Sequence, residues 1–186
     1  MIEQNYTGYL LAAHPKRTDP ILRRGTMLII DHDAAGAIGL QINKPYVSNV
    51  TLNSVMRNVE LNVENDQALY NGGPESTNRI HIIHTLDWFS PTTNKVTDQI
   101  GISSDLSVLS AISREEGPSY FRAVAGFTRW LPGHLEGEIL GEDPWTINHS
   151  WSFTPAEPEI VFGYTDIDQW HKVISDSSRH QVANWF

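Results

Sequence analysis

The chain has 186 residues, 40% of them hydrophobic and 19% charged, with six Trp, six Tyr and six Phe, which excludes the composition of a disordered segment and leads us to expect one domain over residues 1–186. It contains no cysteine, so disulfides, thiolate catalysis and Cys-based iron–sulfur or zinc sites are excluded, and a reducing, cytoplasmic setting is expected. A formal net charge of −9 opposes the clustered Lys and Arg that phosphate backbones demand, so direct nucleic-acid binding is disfavoured.

In chain order, Tyr9 to Ala13 reads as a strand, and Met27 to Asp31 as a second. A turn is expected over His32 to Gly36, then a strand from Ala37 to Asn43 that ends where Lys44 and Pro45 stop ladder pairing. Leu52, Val55, Met56 and Val59 fall at helical spacing, with Thr51 or Ser48 as cap. Strands follow at Ala68 to Asn71 and Ile80 to Thr85, on either side of the sharp Gly72, Gly73, Pro74 turn, where a backbone without side chains lets another group approach closely.

Lys95 to Ile102 reads as a strand, and Leu106, Leu109 and Ile112 as the stripe of a helix capped by Ser103 or Ser104 and ended by Gly117 and Pro118. A strand from Tyr120 to Phe127, a short helix within Pro132 to Leu140, and extended segments at Thr146 to Trp151 and Glu159 to Phe162 come next. Ile167, Trp170 and Ile174 lie along one face of a C-terminal helix. The mixture of many strands with three or four helices predicts an α/β or α+β fold, and no apolar run approaches the roughly 20 residues of a membrane span. The N-terminal segment lacks the basic and then apolar pattern of a signal peptide, so no membrane association is expected.

Candidate chemistry is sparse. Neither a Gly-x-Ser-x-Gly elbow, a Walker loop nor a Gly-x-Gly-x-x-Gly fingerprint occurs. Asp31, His32 and Asp33 hold metal-ligating and proton-transferring groups, but in an expected turn such residues serve the local backbone. His134, Glu136 and Glu138 combine imidazole with carboxylates, and His134 and Glu138 share a helical face, so a divalent cation joined by His84 is one reading. The competing reading gives the glutamates to arginines or backbone and puts Trp130 and Leu135 in the core. The basic residues Lys16, Arg17, Arg23 and Arg24 form either a local anion patch or four solvated charges.

Four segments in order resemble the YqgE/AlgH family of small bacterial proteins: Gly8 to Pro15 with Asp19, Pro20, Arg24 and Ile30 to Pro45; Gly72, Gly73, Pro74 and then His84; Gly126 to Glu138 with Trp145; and Pro158 to Phe162 leading to Trp170. Each is weak alone, but the joint order from about Gly8 to Ile174 is specific. His134 stands where the family has the glutamine of a GQLE segment. The resemblance implies an α+β single domain whose bent mixed β-sheet forms a pseudo-barrel with flanking helices. It implies little chemistry, although one branch carries a label of alginate-gene regulator.

Polar, aromatic and glycine residues of the resembling segments give the candidate ligand-binding set Arg24, Asn43, Gly72, Gly73, His84, Trp130 and Glu136, expected to gather on one concave surface. Alternatively, Arg24, Asn43 and His84 satisfy buried groups in the core. The function expected is a non-catalytic ligand- or partner-binding protein, a transcriptional regulator by resemblance only, with an unidentified small molecule or protein as partner and no cofactor. Six tryptophans and apolar strand edges leave room for a homodimer. The alternative is a metal-assisted hydrolase using His84, His134, Glu136 and Glu138.

Overall fold

The computed structural model describes residues 4–47, 49–64, 66–141 and 151–183. Strands β1 (Tyr9–Ala13), β2 (Thr26–Asp33) and β3 (Gly36–Gln41) form an antiparallel meander. Strand β8 (Phe121–Trp130) then joins two halves of the sheet: its last residues pair with β3, and its first residues pair with β5 (Glu75–Thr85). Beyond β5 lie β7 (Ile100–Ser103) and β6 (Asn94–Lys95), while β9 (Trp151–Pro155) covers β1 at the opposite end. The order is therefore β6-β7-β5-β8-β3-β2-β1-β9, with β4 (Tyr70–Asn71) beside β8 as the one parallel pairing among the described residues.

The sheet curls into a half-barrel, and the fold is α+β. Register shifts between Ile29 and Asp31 in β2 and between Glu75 and Ile80 in β5 supply the bends, because extra residues on one strand of a pair bend it and increase its local twist. In β8 the left-handed Gly126 changes the alternation, so that Val124 and Phe127 both meet the inner core while Trp130 packs on the outer one.

Alternate residues feed opposite faces. Leu10, Leu28, Leu40, Ile83 and Val124 point inward and pack against Ile160 and Val161 of α4 (Pro158–Gly163) and Trp170 and Val173 of α5 (Asp166–Ala183). Leu11, Met27, Ile29 and Trp130 point outward beneath Leu135 of α3 (His134–Leu140). Ile82, Ala123 and Ala125 support α1 (Leu52–Met56) and α2 (Leu106–Ser113). Each large aliphatic side chain buried this way contributes about 1.5–3 kcal/mol. Trp170 also donates its indole N–H to Ala13 O at 2.8 Å, which fixes α5 against β1.

Several sequence expectations change. β2 runs through Asp33, so His32 lies in a strand, buried, with Asp31 and Asp33 exposed on the other face. Lys95 to Ile102 is two strands around a turn closed by Val96 N donating to Ile100 O. In α2, Asp105 is the cap, and the buried residues are Val108, Ala111 and Ile112 while Leu106 is exposed. Glu159 to Phe162 is helical, because Pro158 occupies the first turn, where its missing N–H costs nothing. Thr51 caps α1 as expected, within a capping box with Ser54. Trp145 and the extended segment expected at residues 146–150 lie outside the described residues; Trp151 begins β9. Among the described residues no helix is long and apolar enough to cross a membrane.

Candidate ligand-binding site

Strand β8 carries a single charged residue, Arg122, inside the run Phe121 to Phe127, and the strand alternation turns it inward with Val124. At 4% exposure its guanidinium has to find partners within the fold. Nη1 donates to Ile42 O at 2.7 Å and to Gln169 Oε1 at 3.1 Å, and Nη2 donates to Tyr164 O at 2.9 Å. The cation lies 4.7 Å over the Tyr70 ring. Gln169, fully buried on α5, uses its amide N–H groups on Ile160 O and Val161 O, so the same contact secures α4. Among the described residues no carboxylate stands within ion-pair distance of Arg122. Burial pulls Arg122 below its ordinary value, with Tyr70 and Asp166 pushing the other way; burial also raises the Tyr70 phenol.

The residue after Ile42 builds the neighbouring part of the site. Asn43 accepts from Thr26 N at 2.8 Å and donates to Arg24 O at 2.9 Å and Asp166 O at 2.8 Å. Arg24 and Asp166 both hold left-handed backbone, with φ of 57° and 50°, a conformation that costs a non-glycine residue on the order of 1 kcal/mol. Arg24, Asn43, Lys44 and Ile167 line an open cleft of about 350 Å³. Lys44 donates to Ile21 O at 2.6 Å, and burial lowers its pKa. Thr165, beside Asp166, lines a second cavity of about 330 Å³ with Tyr70, Arg122, Tyr120 and Phe162.

The remaining candidate residues lie elsewhere. Gly72 donates to Ala125 O and its carbonyl accepts from Gln41 N, which seats the turn on β8. A Cβ would stand 2.3 Å from Gly126 O at Gly72 and 2.4 Å from Phe127 O at Gly73, so the group that approaches these glycines is the chain's own strand. His84 is fully buried; Nδ1–H donates to Thr85 O at 2.9 Å, and Nε2 meets Ser103 Oγ at 3.0 Å. Burial lowers its pKa. Trp130 is buried edge-on against Trp151, with ring centroids 6.4 Å apart.

Glu136 accepts from His32 Nε2 at 2.9 Å. Because His32 Nδ1 accepts the Tyr6 amide at 3.0 Å, the ring proton belongs on Nε2 and the contact is a hydrogen bond from a neutral imidazole. Glu138 accepts from Trp151 Nε1 at 2.7 Å. Arg17 stacks on the same indole at 5.0 Å and is buried, which corrects the reading of four solvated basic residues.

The expected concave gathering is therefore divided. His84 pairs with Phe121 at one end of β8 and Trp130 occupies the other, about 30 Å along the strand at roughly 3.3 Å per residue. The same separation removes the metal alternative. His84 cannot join His134, Glu136 and Glu138, and among the described residues no three His, Asp or Glu side chains are grouped to hold a metal ion. Arg24 and Asn43 do come together. Arg122 and Gln169, which sequence reasoning missed, join them at the Ile42–Asn43 and Tyr164–Asp166 segments. The available signal was an arginine within the otherwise apolar run Phe121 to Phe127.

Residues 10–180 match the model of a family described as AlgH-like. A UPF0301 protein of Sphingopyxis alaskensis is 30% identical over 174 residues, covering 92% of this chain and 89% of that protein. Another, from Idiomarina loihiensis, is 32% identical over 170 residues, covering 89% and 87%. The solution structure of the AlgH protein from Pseudomonas aeruginosa superposes with a TM-score of 0.74 at 25% identity, covering 95% of this chain and 90% of that one.

Proposed function

Because the chain belongs to the AlgH-like family, we propose that it is a binding protein rather than a catalyst, that it holds a small ligand at the Arg122 cavity, and that any regulatory output passes through that ligand instead of through DNA. Arg122 is the observation that supports this reading. A buried cation held by carbonyls, an amide and a ring carries a desolvation penalty of several kcal/mol, and here the charge borders a cavity. The groups with catalytic potential are occupied in pairs: His32 with Glu136, His84 with Ser103, Glu138 with Trp151. A net charge of −9 also disfavours DNA as the direct target.

The test incubates purified protein with a metabolite extract, separates it by gel filtration and identifies what is retained, with the same extract assayed for turnover. Retention of a compound chemically unchanged supports the proposal. Conversion of a compound with none retained overturns it, as does duplex-DNA binding whose affinity falls steeply with salt.

A further inference from the structure

We propose that the ligand is a small organic oxyanion with a flat apolar body, its carboxylate or phosphate seated on Arg122 and its body against the aromatic wall of the 330 Å³ cavity. This rests on the binding reading above and gives it a chemical class.

Of the five N–H groups of Arg122, two on Nη1 and one on Nη2 are taken by Ile42 O, Gln169 Oε1 and Tyr164 O. Nε–H and the second Nη2–H have no acceptor among the described residues, and an oxyanion would accept both while neutralising the charge. Every acceptor now on the guanidinium is neutral, so an anionic ligand would be its first countercharge within bonding distance. Beyond the cation, Tyr120 and Phe162 lie nearly parallel, with centroids 6.3 Å apart and planes 25° apart, and offer flat apolar surface. Thr165 adds a hydroxyl, while that of Ser119 at the rim already donates to Asp87. The volume sits at the lower end of small-molecule sites, which favours a metabolite over a dinucleotide. A larger cavity of about 430 Å³, beside Val63 and Ile112, carries Glu64 and Glu115 and no cation, so it repels the same ligand.

The probes are benzoate, phenyl phosphate and neutral benzamide, titrated into the full chain with amide and arginine side-chain NMR shifts as readout. One of the two anions should saturate shifts at Arg122 Nε–H, Tyr70 and Thr165, and the tighter one identifies the headgroup. Benzamide should bind at least about tenfold more weakly, because it lacks the charge. Arg122→Gln should abolish binding. Since Arg122 also holds main-chain carbonyls and its loss can unfold the chain, Tyr120→Ala, at an exposed ring, should weaken binding about fivefold in a folded protein. Benzamide binding as tightly as the anions overturns the proposal, and so does the absence of saturable binding by either anion. Shifts confined to Arg24 and Lys44, with Tyr120→Ala binding like the parent chain, overturn this seat while leaving the binding reading in place.

Discussion

The side-chain amide of Asn43 donates to the main-chain carbonyl of Asp166, 2.8 Å away and 123 residues further along the chain. The same nitrogen reaches Arg24 O, so one side chain holds two left-handed residues whose backbones are strained. Asn43→Ala leaves the buried Thr26 N–H and two carbonyls without partners and should cost about 3 kcal/mol in urea unfolding. Asn43→Asp should cost more, because a carboxylate would face both carbonyl oxygens.

Arg24→Gly relieves a left-handed backbone while keeping the carbonyl that Asn43 binds. Stability should rise by up to about 1 kcal/mol, since glycine adopts this conformation without the Cβ penalty. A loss above that amount would mean that the Arg24 side chain itself holds the loop.

Gly73→Ala places a Cβ 2.4 Å from Phe127 backbone atoms at a φ of 151°. It should cost at least about 3 kcal/mol, the range of severe overpacking. Gly163→Ala, at the end of α4 with nothing within 4 Å of the added carbon, should stay within about 1 kcal/mol of the parent chain. Thermal midpoints of the two variants distinguish steric contact from a general intolerance of alanine.

His81 gives the fold an acid-sensitive limb. Its Nδ1 meets Ser104 Oγ at 2.8 Å, its Nε2 is buried without a partner among the described residues, and burial, with repulsion from Arg79, pushes the imidazole down to about 4. The unfolded ring titrates near 6.5, so between these values the unfolded chain binds more protons and stability increases with pH. The contribution is complete above pH 6.5 and is lost as pH falls from there through 4, about 3 kcal/mol for that shift, with buried His84 acting in the same direction. Urea midpoints from pH 7.5 to 4.5 should fall in the parent chain and flatten in His81→Gln; parallel curves would assign the slope to other groups.

His32 should carry its proton on Nε2, readable from the ring ¹⁵N shifts, because Nδ1 accepts the Tyr6 amide. His32→Phe leaves that N–H unpaired and should cost about 2 kcal/mol with faster exchange of the Tyr6 amide.

Local signals carried much of the architecture. The hairpin around Gly36, the capped helix after Thr51 and the C-terminal helix are legible because apolar spacing and caps act within a few residues. Glu159 to Phe162 misled because a short apolar run fits strand or helix equally, and Pro158 decides the matter only once it is seen to open α4. The site was less legible. Arg24 and Asn43 were marked by their segments, but Arg122 depends on Tyr164 and Gln169, more than 40 residues away, and an arginine in a strand does not announce such partners. Glu136 and Glu138 looked like ligands because sequence spacing gives no hint that His32 and Trp151 will reach them.

The position of β8 bears on how the chain emerges during synthesis. β3 and β5 are made first, yet each needs β8 as its neighbour, and β1 waits for β9. Until residue 130 has left the ribosome, the two early portions present unpaired backbone rims, each a template for mispairing with another nascent copy. Premature termination between β7 and β8 should therefore yield aggregates instead of a shortened soluble product, and chaperone demand should peak in that interval of translation.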